Sequence, residues 1–357
     1  MIEAIIREAK EGVDQQIKIF LEKKKEKGSV EGMPDYFFEL IGCVENFMLR
    51  GGKRLRPILF CMGYDLWGDA KVRSEVTRIS MLAEFLHAYL LIHDDVIDRD
   101  DLRHGGPSIH FGYRKKYLDK FEEESARHLG FSMAINIGDI VSSWVYEIAM
   151  DSDFEENKKI SLVKKISEIM ETTLFGQVMD QELGMGDDVS FENISRVQEY
   201  KTAKYTIEGP LQMGAILAGA NREKLNFISS FAIPLGMAYQ VQDDILGVFG
   251  DEDKIGKPVG SDIREGKKTL LVLFALENTG EKDKKFLLDK LGDKEVTKDD
   301  VDRIRHIMVS SGALDYSRKR ALWLGDEFAL KLGNGYLADE SASVIREFGY
   351  HILGRSK

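Results

Sequence analysis

The 357-residue chain has only two cysteines, Cys43 and Cys61, so no disulfide framework can staple it. No cluster of cysteine and histidine has the spacing of a zinc site, and a reducing compartment, the cytoplasm, is the expected setting. Positive charge is in the minority: 50 lysines and arginines stand against 61 aspartates and glutamates, a formal charge of −11 at pH 7. That balance argues against a nucleic-acid partner, which needs a basic surface to displace counterions from phosphates. No run of about 18 apolar residues occurs, which removes a membrane-spanning helix. The first twenty residues mix acids and bases with apolar residues and do not read as a signal peptide. The 43% apolar and 31% charged content is that of a globular protein, not of a disordered chain. Length alone allows one large domain or two or three smaller ones.

Proline is also scarce, at positions 34, 57, 107, 210, 234 and 258. In the long windows between prolines, apolar residues recur every three or four positions, the helical period. Residues 76–97 carry such a stripe through Val76, Ile79, Leu82, Ala83, Leu86, Leu90 and Ile97, and 159–183, 194–220 and 225–249 repeat it. No alternating pattern around Asn-Gly or Asp-Gly signals a hairpin. The chain therefore reads as all-α, a single bundle-like domain over 1–357 of about a dozen helices. A long amphipathic helix is expected over 2–27. MAINIGDIVSSW (133–144) and GPLQMGAILAGA (209–220) are apolar almost all round, as befits the middle of a bundle. Small residues along 214–220 allow close helix approach. The polar 281–300 stretch reads as peripheral helix and loop.

The strongest local signal is LLIHDDVIDRDDLRHGGPS at 90–108. On a helix Asp94 and Asp98 share a face, with Asp95 beside them. Acids gathered there repel one another unless a cation neutralises them, and hard divalent ions with oxygen ligands suit the task. Alone, the segment could equally be a solvated helix end. A second copy of the pattern occurs in AYQVQDDILGVFGDEDKIGKPVGSDIREGKKT (238–269), with Asp243 and Asp244 followed by Lys257, Lys267 and Lys268. Two such ends facing each other would hold several Mg²⁺ ions around a diphosphate. A third element, RGGKRLRP at 50–57, concentrates Lys53, Arg54 and Arg56 behind two glycines, a metal-free anion site or, read blandly, a helix start with Pro57 in its first turn.

Together with EFLH at 84–87 and KT at 201–202, these motifs make the chain resemble the trans-isoprenyl diphosphate (polyprenyl) synthases from about residue 40 onward. It looks most like archaeal short-chain members that make geranylgeranyl or farnesyl diphosphate. The resemblance implies an antiparallel helix bundle around a central cavity, the isoprenoid synthase type, and a homodimer. It implies head-to-tail condensation of isopentenyl diphosphate with an allylic diphosphate. Asp94, Asp95, Asp98, Asp243 and Asp244 would serve the Mg²⁺ ions. Arg103, Lys257 and Lys267 would clamp the allylic diphosphate. Lys201, Thr202 and Gln240 would line the place where positive charge develops. Lys53, Arg56 and His87 would bind isopentenyl diphosphate, and Arg355 and Lys357 would form a closing basic tail.

Two positions depart from the family. His104 stands where a second arginine is usual, a smaller and mostly neutral side chain at pH 7. Gly247 stands where the second acidic motif usually has an aspartate, leaving water or Asp251 to complete one metal. Tyr89, five residues before Asp94 and so about 7.5 Å deeper along the helix, would floor the cavity and stop elongation at a short chain; otherwise it is an ordinary core tyrosine. By resemblance the twenty-carbon product fits best and the fifteen-carbon product second. The competing readings are a class I terpene cyclase, which needs neither GGKRLRP nor His87, and a non-catalytic subunit of a heteromeric synthase, which His104 and Gly247 motivate.

Overall fold

The computed structural model describes residues 2–186, 189–250 and 260–354. Along them run α1 (Ile2–Val30), α2 (Asp35–Leu49), α3 (Leu55–Asp65), α4 (Arg73–Ser80), α5 (Leu82–Asp98), α6 (Ile109–Tyr117), α7 (Glu123–Met150) and α8 (Glu156–Met185). Then follow α9 (Phe191–Val197), a π-helical segment (Gln198–Glu208), α10 (Gly209–Leu217) and α11 (Arg222–Phe249). Six further helices close the chain: α12 (Ser261–Arg264), α13 (Leu270–Glu277), α14 (Glu281–Lys290), α15 (Lys298–Ser310), α16 (Ala313–Leu332) and α17 (Asp339–Ile352). The all-α reading holds. Seventeen α-helices among the described residues exceed the dozen expected, because periodic stripes continue across breaks that periodicity cannot see. The 76–97 stripe, for example, is interrupted by a turn at Met81.

The described residues fall into two compact units. The first comprises Glu3–Val163 together with Gly214–Gly219. Here α5 packs on α7 and α3, and α6 lies against α7. The apolar stripe of α5 buries Leu82, Phe85, Leu86, Tyr89 and Ile92. Phe85 meets Phe20 and Trp144 edge-on, at ring-centroid separations of 5.0 Å and 6.0 Å. Cutting such a ring to alanine costs about 3–5 kcal/mol. Gly214 is required by contact: a Cβ there would lie 1.8 Å from the Phe60 carbonyl oxygen, the close approach that the small residues of 214–220 forecast. In α7 the expectation of all-round burial fails. Ala134, Ile137, Val141, Trp144 and Ile148 are buried, but Ile135 is 47% exposed and Met150 43%, on an open side of the helix that also carries Asn136, Asp139 and Ser143.

A small hairpin also escaped the sequence reading. Leu102–Arg103 pairs antiparallel with Gly106–Pro107 across a two-residue turn, His104-Gly105. Both turn residues have positive φ, 51° and 71°, the backbone that matches strand twist in so tight a loop. His-Gly is a rarer way to write that turn than Asn-Gly, so the letters alone mark only a helix end.

The second unit comprises Lys164–Met213 and Ala220–Lys357. Its spine is α11, packed on α16 and on the π-helical segment. Gly236 permits the latter contact, since a Cβ there would stand 2.5 Å from Ala203 Cα. The 194–220 window is thus not one α-helix but α9, eleven π-wound residues and α10. Phe231 and Phe328 fix α11 to α16. The polar 281–300 stretch is the expected α14 and loop, ending in a capping box between Thr297 and Asp300 that starts α15.

Candidate active site

In the first unit the 50–57 segment is shaped by Gly51 and Gly52, whose φ values of 142° and 116° few other residues adopt. This turn leaves Lys53 exposed and sends Arg54 inward. Arg54 is a framework residue. Its Nε donates to Asp14 Oδ1 at 2.7 Å, Nη1 to Glu84 Oε2 at 2.9 Å and Nη2 to the Met48 carbonyl at 2.6 Å. Glu84 opens the EFLH motif, so the ion pair fixes one basic segment to α5.

His87 lies one turn beyond Glu84. Burial and the charges of Arg56, His104, Arg103 and Arg54, in that order, hold its imidazole well below the ordinary histidine range. The cations of RGGKRLRP and of the hairpin thus form a patch whose charge reaches the histidine of EFLH. Arg50, which the sequence reading passed over, ties the patch together. Its Nη1 donates to the Pro107 carbonyl at 2.6 Å, and a Cβ on Gly106 would collide with its guanidinium.

The acidic end of α5 divides its carboxylates. Asp94 and Asp98 are half-buried, one turn apart, whereas Asp95 points inward. Arg103 donates Nε to Asp95 Oδ1 at 2.7 Å, brings Nη2 onto the same oxygen, and reaches Asp100 Oδ2 at 3.1 Å. Arg103 is therefore held by acids rather than extended toward a ligand. Asp95 Oδ2 is buried without a hydrogen-bond partner, and burial pushes the carboxyl up to about 7 against the pull of Arg103. Tyr89 is buried deeper in α5, edge-on to His93 at 4.8 Å between ring centroids.

In the second unit the π-helical segment presents Lys201 and Thr202. Lys201 Nζ is bonded to Asp180 Oδ2 at 2.6 Å. Gly176 lets α8 approach, since a Cβ there would be 2.5 Å from the Lys201 nitrogen, and Asp180 follows one turn later. Thr202 Oγ1 donates to Gln240 Oε1 at 2.6 Å, and Gln240 Nε2 donates to Asp244 Oδ1 at 2.7 Å. Gln198, another residue not singled out, donates Nε2 to Asp244 Oδ2 at 3.2 Å. Asp244 is buried and Asp243 exposed. Burial, with Asp262 and Asp243 nearby, pushes the Asp244 carboxyl up to about 7. Lys267 Nζ lies 2.5 Å from Glu265 Oε2 and 3.5 Å from Asp262 Oδ1. Lys257, Asp251, Arg355 and Lys357 lie outside the described residues.

Both acidic motifs occupy the C-terminal part of a helix, where unsatisfied carbonyls already present negative charge. Cations relieve both repulsions. Among the described residues no three acid, histidine or cysteine side chains are gathered tightly enough to cage a metal. Mg²⁺ asks for no such cage, because it is held by one or two carboxylates with phosphate oxygens and water. The oxygen-only donors and the orphaned Asp95 Oδ2 fit that ion.

The polyprenyl synthetase family model matches residues 39–308, and the chain belongs to that family. A short chain isoprenyl diphosphate synthase of Methanocaldococcus jannaschii is 33% identical over 86% of this chain and 83% of its own. A geranylgeranyl diphosphate synthase of Sulfolobus acidocaldarius is 32% identical over 75% and 76%. Among solved structures, geranylgeranyl pyrophosphate synthase of Corynebacterium glutamicum, complexed with isoprenyl diphosphate and magnesium, superposes with a TM-score of 0.90. It is 28% identical and covers 98% of this chain, with 99% of its own length matched. The fold is the all-α isoprenoid synthase fold. No helix among the described residues is long and apolar enough to cross a membrane.

Proposed function

We propose that the chain is a trans-prenyltransferase that condenses isopentenyl diphosphate head to tail with an allylic diphosphate, yielding geranylgeranyl diphosphate. One observation carries this reading: Arg50 ties the 50–57 segment to the hairpin through the Pro107 carbonyl at 2.6 Å, and the cations of both bear on His87. A cationic patch of this kind suits a second diphosphate substrate, which a terpene cyclase does not use. Relatives that make geranylgeranyl diphosphate, from an archaeon and a bacterium, support the product.

Lys53, Arg56, His87 and His104 bind isopentenyl diphosphate. Asp94 and Asp98, and Asp243 on its own helix, would hold Mg²⁺, with Asp95 and Asp244 behind them; when bound, the ions would offset charge growing on the departing diphosphate. Arg103 and Lys267 complement that charge once the ligand competes with their acidic partners, and by resemblance Lys257 joins them. Lys201, fixed by Asp180, and the Thr202–Gln240 pair turn dipoles toward the allylic carbon. The buried wall around Tyr89 excludes water from a cation that water would destroy. The proton lost at the end goes to the departed diphosphate, so no protein base is required. The functional unit is a homodimer of single-domain chains acting in the cytoplasm.

The test is incubation of the purified chain with Mg²⁺, isopentenyl diphosphate and each allylic diphosphate, with chromatography of the products. Twenty-carbon diphosphate formed only with divalent metal present supports the proposal. Cyclised hydrocarbon without consumption of isopentenyl diphosphate would indicate a cyclase, and no turnover at any pH a partner subunit.

A further inference from the structure

We infer that Glu208, the last residue of the π-helical segment, is a positioning residue for Thr202: its bond to Ser229 of α11 holds the π winding and so keeps the Thr202 hydroxyl on Gln240. The inference rests on the prenyltransferase reading above, in which the Thr202–Gln240 pair is directed at the allylic carbon.

The π-helical segment and α11 run antiparallel and meet at three levels. Thr202 Oγ1 donates to Gln240 Oε1 at 2.6 Å, Ala203 sits against Gly236, and Glu208 Oε1 accepts from Ser229 Oγ. Ser229, Gly236 and Gln240 follow one another at seven and four residues, so they lie on one face of α11. Their partners would not share a face in an ordinary helix. Five steps of about 100° turn Glu208 roughly 140° away from Ala203, whereas i→i+5 bonding brings residues five apart onto the same side. With Ala203 seated on Gly236, the Glu208–Ser229 bond is therefore specific to the π-wound form. The Gly209 N–H donates to the Lys204 carbonyl, five residues back, and closes that winding beside the bond. Pro210 weakens the α alternative, since it has no N–H for the Thr206 carbonyl and its ring would crowd that oxygen.

The anchor at Glu208 is itself supported. The buried amide of Gln212 donates Nε2 to Ser229 Oγ at 2.9 Å and to the Leu225 carbonyl at 3.0 Å, and reaches Glu208 Oε1 at 3.4 Å. Ser229 Oγ also lies 3.1 Å from the Leu225 carbonyl, but the carboxylate is nearer and takes the hydroxyl proton. Burial pushes the Glu208 carboxyl above the ordinary range, against the pull of Ser229, Lys204 and Lys165. Half-burying an acid costs free energy. Here it secures a register that the middle level cannot, because a glycine and an alanine interlock too little to stop one helix sliding on the other. Polar bonds at both ends do that work, and loss of the far one frees Thr202.

The test measures steady-state turnover of the full-length protein with isopentenyl diphosphate and an allylic diphosphate at saturating Mg²⁺, with thermal unfolding as a check. Glu208→Ala and Ser229→Ala are each expected to lower kcat about tenfold, the scale of one hydrogen bond, with KM for both substrates nearly unchanged. Glu208→Gln keeps an oxygen for the Ser229 hydroxyl and should recover most of the rate. Because Glu208 acts through Thr202, adding Glu208→Ala to Thr202→Val should cost at most about twofold beyond Thr202→Val alone. A residue that only supports the fold would cost the same factor in both backgrounds, so a further loss of about tenfold overturns the inference. So does wild-type kcat in Ser229→Ala, or a rise in KM at constant kcat. Should Glu208→Ala fail to fold, Ser229→Ala, which removes one oxygen, carries the cycle in its place. Wild-type protein without turnover sinks the prenyltransferase reading and this inference together, whereas wild-type turnover with unchanged kcat in Ser229→Ala sinks this inference alone.

Discussion

Arg54 and Glu84, thirty positions apart, form an ion pair closed off from solvent, with Nη1 2.9 Å from Oε2 and both side chains about 5% exposed or less. Removing one partner of a buried pair strands the other charge and costs about 3–5 kcal/mol. Arg54→Ala and Glu84→Ala are each expected to lower the melting temperature by several degrees. The double variant should fall by less than the two single losses added, because neither charge is then stranded. Calorimetry of the three variants checks this, and an unchanged melting point in Arg54→Ala would show that the pair contributes nothing.

Tyr89 closes the apolar side of α5 below Asp94, with its ring against His93. Tyr89→Ala is expected to lengthen the product by at least one five-carbon unit, read by chromatography of the dephosphorylated products. The enlarged space also costs stability, about 3–5 kcal/mol for loss of a buried ring. A less stable protein making the same product would leave Tyr89 as a packing residue only.

His87 gives a pH signature. Its folded pKa is depressed by burial and by the surrounding cations. Below the unfolded value of about 6.5, the unfolded chain therefore takes up a proton that the folded chain does not. The stability linked to this group is fully present above that pH and lost as pH falls below it. Denaturant titrations between pH 5 and 8 should show the fall, and His87→Asn should flatten it. Inorganic diphosphate in the patch supplies the opposing charge, so its binding near pH 6 should be accompanied by proton uptake, measured by calorimetry in buffers of different ionisation enthalpy.

Thr202 orients Gln240 through one hydroxyl-to-carbonyl bond of 2.6 Å. Thr202→Val preserves shape but removes the donor. Turnover should drop about tenfold, or about 1.4 kcal/mol, the worth of one such bond, with little change in KM. Thr202→Ser should recover most of the rate. A drop in affinity without a drop in turnover would move Thr202 from the reacting carbon to the binding of ground-state substrate.

The helices and the acidic motifs were legible because helical period and charge spacing are local properties. Asp94 and Asp98 share a face in any α-helix, so a string of letters suffices to pair them. Arg54 shows where that reasoning stops. In sequence it is one of three similar cations, and only the positive φ that turns it inward separates it from Lys53 and Arg56. Arg103 is similar, since its two acidic partners become apparent only once the hairpin turns it back onto α5. The hairpin was hidden by its His-Gly turn, and Asp180 and Gln198 because their partners come from other helices. The open face of α7 was missed because an apolar residue looks the same in a sequence whether it is covered or not.

The π winding of Gln198–Glu208 bears on how this protein can be altered. Each residue of an ordinary helix advances the chain by about 100°, so deleting one amino acid to straighten these loops would swivel Lys201 and Thr202 relative to whatever follows. Their aim at Asp180 and Gln240 depends on keeping the extra residue in place. Trimming here is expected to silence the enzyme while leaving a soluble helical protein, a separation of shape from chemistry that few single deletions offer.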